Sequence, residues 1–133
     1  MKIIIRTLIT IISISLIILG CTEKAPSRDE IPIIKNFLAK FEQAVKDYNA
    51  AQIDSMIIAE AYDDGYNSAK ILEDVYQGGD AFYTFGNRNF DYIKDKAVVQ
   101  FNILADSTGT GRPAEMLLVK KHKQWYLKRF DVK

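Results

Sequence analysis

Ala97-Val98-Val99-Gln100-Phe101-Asn102-Ile103-Leu104-Ala105 alternates in a way that only a strand can use. Successive side chains of a strand point to opposite faces, so Ala97, Val99, Phe101 and Ile103 share one face while Val98, Gln100, Asn102 and Leu104 share the other. The first face is apolar and has to be covered. The second is mixed, which predicts an antiparallel sheet with one face on a core and one toward water.

Short runs of the same character surround it. Upstream, Phe82-Tyr83-Thr84-Phe85 and Phe90-Asp91-Tyr92-Ile93 are rich in aromatic and β-branched residues and are separated by the turn residues Gly86-Asn87, which predicts two strands before a polar turn at Lys94-Asp95-Lys96. Downstream, residues 106–113 form a Gly/Ser/Thr loop, with Pro113 acceptable as the first residue of a strand. Residues 115–121 and 125–132 read as the last two strands, and His122-Lys123-Gln124 closes the hairpin between them.

The period changes toward the N-terminus. Ile34, Phe37, Leu38, Phe41, Val45 and Tyr48 recur at three- and four-residue steps with Lys35, Lys40, Glu42, Lys46 and Asp47 between them, the pattern of an amphipathic helix. Ser27 with Glu30 fits a capping box, Asp29 competes as N-cap, and Pro32 suits the first turn. After Asn49, Ile53, Met56 and Ile57 predict a second helix over residues 50–61, ended at Asp63-Asp64-Gly65. Asn67 or Ser68 caps a third, with Ile71, Leu72, Val75 and Tyr76 on one face and Gly78-Gly79 as the stop. Helices first and an antiparallel meander after them predict an α+β fold, N-terminal helices packed on a curved sheet.

The N-terminus has a different purpose. Lys2 and Arg6 precede an uncharged stretch, residues 7–20, that is rich in Ile and Leu and ends on a small residue, the layout of an export signal. At about 1.5 Å per residue that stretch makes roughly 21 Å of helix, short of the ~30 Å hydrocarbon core. Its end, Ile18-Leu19-Gly20-Cys21, resembles the lipobox of bacterial lipoproteins. The resemblance implies cleavage between Gly20 and Cys21, a diacylglyceryl thioether on Cys21 and acylation of the new amino group. Cys21 is the only cysteine, and alkylating it removes an odd thiol from an oxidising compartment. One acyl chain holds only marginally, whereas two or three anchor stably. An uncleaved signal-anchor and a removed signal with a coincidental cysteine are the alternatives. The expected organisation is a lipoprotein signal peptide over residues 1–20, a lipidated tether over residues 21–29 and one α+β domain over residues 30–133. The location expected is the cell membrane or, from Thr22 after the cysteine, the outer membrane, lipid-anchored and facing periplasm or exterior.

Without residues 1–20 the chain keeps sixteen Lys and Arg against seventeen Asp and Glu. Such a balance gives no basic excess for phosphates, so nucleic acid is not expected as a partner. The charge is uneven: from Arg112 onward seven Lys or Arg face only Glu115 and Asp131. The Lys120-Lys121-His122-Lys123 cluster reads as a solvated hairpin tip, with anionic lipid headgroups as its alternative contact.

Three places resemble the nuclear-transport-factor-2-like superfamily, whose conical, cystatin-like fold includes ketosteroid isomerase. These are the helix, polar break and second helix over residues 37–57 with Asp54 capping the turn, the strand Asp95-Lys96-Ala97-Val98-Val99-Gln100-Phe101, and the final hairpin Leu117-Leu118-Val119-Lys120-Lys121-His122-Lys123-Gln124-Trp125-Tyr126-Leu127. The resemblance implies a cone of helices on a curved sheet, a member among small lipoproteins of that superfamily, and activities that range from isomerases and dehydratases to binding modules.

Isomerase chemistry of that kind needs a carboxylate base in an apolar cavity with a hydroxyl or neutral acid to hold the enolate. Asp54, Tyr48, Tyr83 and Tyr126 are the residue types for a pocket lining, although Asp54 reads first as a helix cap and the tyrosines as core wall. His122, the one histidine, reads as a turn residue. Asp63-Asp64 lacks the spacing of a calcium loop, and Gly109-Thr110-Gly111 lacks the helix and basic residue of a phosphate loop. No catalytic residue, cofactor or metal ligand is therefore expected. The function expected is a membrane-anchored module that binds another envelope protein or a small apolar ligand; the alternative is a small isomerase- or dehydratase-type enzyme with an acid–tyrosine pocket. A homodimer through the sheet is a third reading, favoured by an exposed patch of Val98, Leu104 and Leu118.

Overall fold

A computed structural model describes residues 29–77, 81–109 and 111–133, so the expected signal, Gly20, Cys21, Ser27, Gly78 and Gly79 lie outside the described residues. Four helices come first: α1 (Ile31–Lys46), α2 (Ala50–Met56), α3 (Ala59–Asp63) and α4 (Ser68–Val75). Four strands follow: β1 (Thr84–Ile93), β2 (Lys96–Leu104), β3 (Arg112–Lys121) and β4 (Gln124–Val132). They pair antiparallel in chain order as one sheet. The helices cover one face of this curved sheet, and the fold is α+β as the change of period predicts.

The helix α1 buries Ile34, Phe37, Leu38, Phe41, Ala44 and Val45. Asp29 accepts the Ile31 N–H at 3.0 Å and serves the first turn. Glu30 makes no capping bond to its own helix; its carboxylate reaches the sheet instead, accepting from Lys120 Nζ at 2.6 Å and from Trp125 Nε1 at 3.0 Å. Tyr48 departs from the expected core stripe. The helix ends at Lys46, Tyr48 sits at φ 51°, and its ring is 59 % exposed, stacked on Tyr76 at 4.4 Å.

Residues 50–61 do not make one helix. Ile57 and Ile58 are extended and divide α2 from α3. Ile57 bridges Leu127 in parallel, and the Ile58 N–H donates to the Leu127 carbonyl at 2.9 Å. Two β-branched residues give up a helical turn cheaply, and burying Ile57 against β4 offsets the lost helical bonds.

Nor does a turn separate two strands at Gly86-Asn87. β1 runs through with a register shift between Gly86 and Asn89, Asn87 taking φ 51° inside the bulge. A Cβ at Gly86 would lie 2.6 Å from Leu104 Cδ1, so a larger residue there displaces the Leu104 side chain. The bulge carries Arg88 to α1, where its guanidinium pairs with Glu42. Thr84 Oγ1 donates to the same carboxylate at 2.9 Å, and Lys46 Nζ lies 3.2 Å away. Glu42, read from its spacing as solvent-facing, is thus buried and tied to three partners.

The inner residues of β2 are those the alternation predicts: Ala97, Val99, Phe101 and Ile103 are all buried. Phe85 lies 4.5 Å from Phe101 and 6.1 Å from Phe41, with Phe130 closing the aromatic core between α1 and the sheet. The β3–β4 turn is His122-Lys123, both at positive φ, which makes it a two-residue hairpin connection.

Candidate functional site

Helices cover one face of the sheet, and the other carries no described element. Its residues follow from the pairing register. Nearest the two hairpin tips runs Ile93–Lys96–Val119–Tyr126, then Asp91–Val98–Leu117–Arg129, then Asn89–Gln100–Glu115–Asp131. Five of the eight side chains in the first two rows are apolar. Ile93 is 74 % exposed, and Val98, Leu117, Val119 and Tyr126 are half-buried. A groove of about 510 Å³ opens at this corner, lined by Asp91, Ile93, Lys94, Lys96 and Val98 among others. An open apolar surface with charges at its margin is the composition of a binding face.

The third row is polar and cross-linked. Asn89 donates to Gln100 Oε1 at 3.4 Å, Gln100 donates to Glu115 Oε2 at 3.2 Å, and Lys133 Nζ lies 3.4 Å from the same oxygen. The Glu115 carboxyl is held below the usual carboxylate range, first by the Gln100 hydrogen bond and then, against desolvation, by Lys133 and Arg129. Arg129 Nε lies 2.7 Å from Asp131 Oδ2, and Tyr66 donates to Asp131 Oδ1 at 3.1 Å.

Leu118, expected with Val98 and Leu104 in an outward patch, is fully buried and faces the helices. Leu117 takes the outward place beside Val98, since its Cα partner is Val98 and that of Leu118 is Ala97.

The four residues expected to line a pocket do not converge. Tyr48 and Tyr83 are exposed. Tyr126 is on the open face and donates to Gln124 Oε1 at 2.9 Å. Asp54 is half-buried, and its two oxygens accept from the Ser68 N–H at 2.9 Å and Ser68 Oγ at 3.0 Å. It therefore ties α2 to the first residue of α4, whose N-cap is Asn67, and the carboxylate that would serve as a base is already engaged. Neither this groove nor the second one includes any of the four.

The second groove, about 280 Å³, is polar. Its cations already have partners: Arg112 donates to the Asp74 and Val75 carbonyls at 3.0 and 2.7 Å, closing the end of α4, and Lys70 pairs with Asp74 at 2.9 Å. Among the described residues no group of three or more His, Cys, Asp and Glu could hold a metal ion. Among them, too, no helix is long and apolar enough to cross a membrane.

Tyr76 is perturbed by a direct structural cause. Its hydroxyl donates to the Val45 carbonyl at 2.9 Å. Burial, then the nearby Tyr48, pushes its pKa up to about 12. The folded state keeps this proton longer than the unfolded chain, so the stabilisation is complete below the ordinary tyrosine pKa of 10.0 and is lost as pH rises toward 12. We expect urea midpoints to fall across that window and Tyr76→Phe to flatten the fall; an unchanged slope would show that other tyrosines carry it.

No known protein-family model matches the chain, and no curated protein matches it.

Proposed function

We propose that the chain is a lipid-anchored protein of the bacterial envelope, held to a membrane through Cys21, and that its uncovered sheet face binds a protein partner. One observation supports the binding part above all. Five apolar side chains stand together on a sheet face that no described element covers, with Ile93 74 % exposed at its corner. Exposing such a cluster costs solubility and is retained where something covers it. The face is broad and its groove open, which suits a macromolecule better than a small ligand, since small molecules favour enclosed cavities. An enzymatic reading has less support, because Asp54 is engaged by the Ser68 N–H and hydroxyl and is joined by none of Tyr48, Tyr83 or Tyr126.

The anchor and the face are tested separately. Full-length chain carrying Cys21→Ser should leave the detergent-extracted membrane fraction, and the native protein should gain the mass of a diacylglyceryl group at Cys21. Native mature protein recovered in water with a free Cys21 thiol would refute the anchor. A photo-crosslinking residue at position 117 in the native chain should yield a protein adduct, while one at exposed Lys40 on α1 should not; no adduct at 117 would refute the face.

A further inference from the structure

We infer that the β1–β2 hairpin tip docks on the membrane itself: Ile93 enters the surface of an anionic phospholipid bilayer, and Lys94 and Lys96 meet its phosphates. This goes beyond the protein-binding face. It concerns the corner where that face meets the tip, and it leaves Val98, Leu117, Val119 and Tyr126 to the partner.

The register displays Ile93. Its neighbour Tyr92 pairs with buried Ala97 and packs against the core, so Ile93, opposite Lys96, points to the other side of the sheet and is 74 % exposed. A lone exposed isoleucine would need no explanation. This one stands in the groove of about 510 Å³ that Val98, Lys94 and Lys96 also line. Lys94, at φ 55°, and Lys96 are both exposed, and neither has an ion-pair partner among the described residues. Lysines can lay their stems along such apolar surface while their ammonium groups reach phosphates. An apolar residue set between cations is the composition that binds at the boundary of headgroups and acyl chains.

The contact expected as an alternative for Lys120-Lys121-His122-Lys123 therefore moves to the neighbouring tip. Lys120 is turned inward, its Nζ 2.6 Å from Glu30, and Lys121 Nζ lies 3.2 Å from Glu60. The turn they belong to carries no apolar residue. Its Lys123 adds a further exposed cation beside the β1–β2 tip. Together residues 93–96 and 121–124 hold four lysines and a single acid, Asp95, a balance that suits an anionic surface.

The chain enters the fold at this same end. Glu30 bonds Lys120 and Trp125, and the Lys120 N–H donates to the Asp95 carbonyl at 2.8 Å, so α1 begins beside both tips. From Cys21 to Asp29 the chain reaches at most about 28 Å. An anchor at Cys21 thus keeps the tips within reach of the headgroups, at the raised effective concentration of a tethered site. This step rests on the proposed anchor, whereas the composition of the tip does not. Each lysine near an anionic surface contributes about fivefold to binding, so one isoleucine and two lysines are enough for a tethered domain.

The test uses the full-length lipidated chain in vesicles whose phospholipids carry brominated acyl chains, which quench a tryptophan that reaches them. Ile93→Trp places the probe at the tip and Tyr83→Trp at an exposed control site on the opposite end of β1; the parent chain, with Trp125 alone, gives the background. In vesicles of equal parts phosphatidylcholine and phosphatidylglycerol, quenching above background is expected at position 93 and not at 83. Lys94→Gln with Lys96→Gln should lower the ratio of docked to undocked chain by roughly twenty-five-fold, with urea midpoints of these exposed-site variants confirming an intact fold. Quenching at 93 no greater than at 83, equal quenching in phosphatidylcholine alone, or indifference to the two lysine substitutions in folded protein would overturn the docking. So would a protein adduct in place of a lipid adduct from a photo-crosslinker at position 93 in native membranes. Flotation with the vesicles at about 1 M salt, where the Debye length is about 3 Å, reads the anchor by itself. Chain that floats without quenching at 93 overturns the docking and leaves the anchor, whereas chain that is quenched at low salt and no longer floats at high salt overturns the anchor and leaves the docking.

Discussion

Leu118→Asp is expected to unfold the protein, whereas Leu117→Asp should leave it folded. The two leucines are neighbours in sequence and identical in chemistry, so the contrast isolates the face. Leu118 is fully buried between Ala97 and Leu127 on the helix-covered side. A carboxylate there has no partner, and its burial costs more than about 4 kcal/mol, against a total stability of about 5–15 kcal/mol for a domain. Leu117 is half-buried on the open side beside Val98 and Arg129, and an acid at that site costs under about 1 kcal/mol. Far-UV circular dichroism and urea melts of the two variants check this directly. Equal losses would mean that the outward face is covered in the folded chain, and the proposed binding face would fall with it.

The same pair marks where sequence periodicity stops being informative. Along β2 the alternation is clean, because Gln100 and Asn102 interrupt one face, and every residue assigned inward is buried. Along β3 the run Met116-Leu117-Leu118-Val119 is apolar on both faces, so parity is set only by the pairing of Leu118 with Ala97. Three other departures are of one kind. The break at Ile57-Ile58, the bulge that replaces the turn at Gly86-Asn87, and the burial of Glu42 and Glu30 each trade a local preference for a contact far along the chain. Ile57 reaches Leu127, Arg88 of the bulge reaches Glu42, and Glu30 reaches Trp125. Local pattern fixes which elements form and carries no information on such partners. The open face was legible as the mixed second face of β2, with Leu118 placed beside Val98 where the pairing puts Leu117; its rows need three registers, and no single strand contains them.

Glu30→Ala is expected to cost about 3 kcal/mol, far more than a surface acid at a helix start. Glu30 is 6 % exposed, and one carboxylate serves both the Trp125 indole N–H at 3.0 Å and the Lys120 ammonium at 2.6 Å. Removing it leaves the indole N–H in a buried site without that acceptor, at about 1–3 kcal/mol, and strands a partly buried cation beside it. Lys120 can swing toward water, being 23 % exposed along its side chain, so the indole and the void carry most of the loss. Glu30→Gln keeps an acceptor for Trp125 and should lose about half as much. A chain with Glu30→Leu, Lys120→Met and Trp125→Phe removes these three polar groups together and should lose less than Glu30→Ala does. Urea midpoints of these three variants settle the point, and losses below about 0.5 kcal/mol for both Glu30 single variants would show that the contact holds nothing. The consequence extends to the proposed anchor. Glu30 is the first buried residue among those described, so a pull from the proposed anchor would meet it at the start of the fold, and its bonds to β3 and β4 would pass that pull to the sheet as well as to α1.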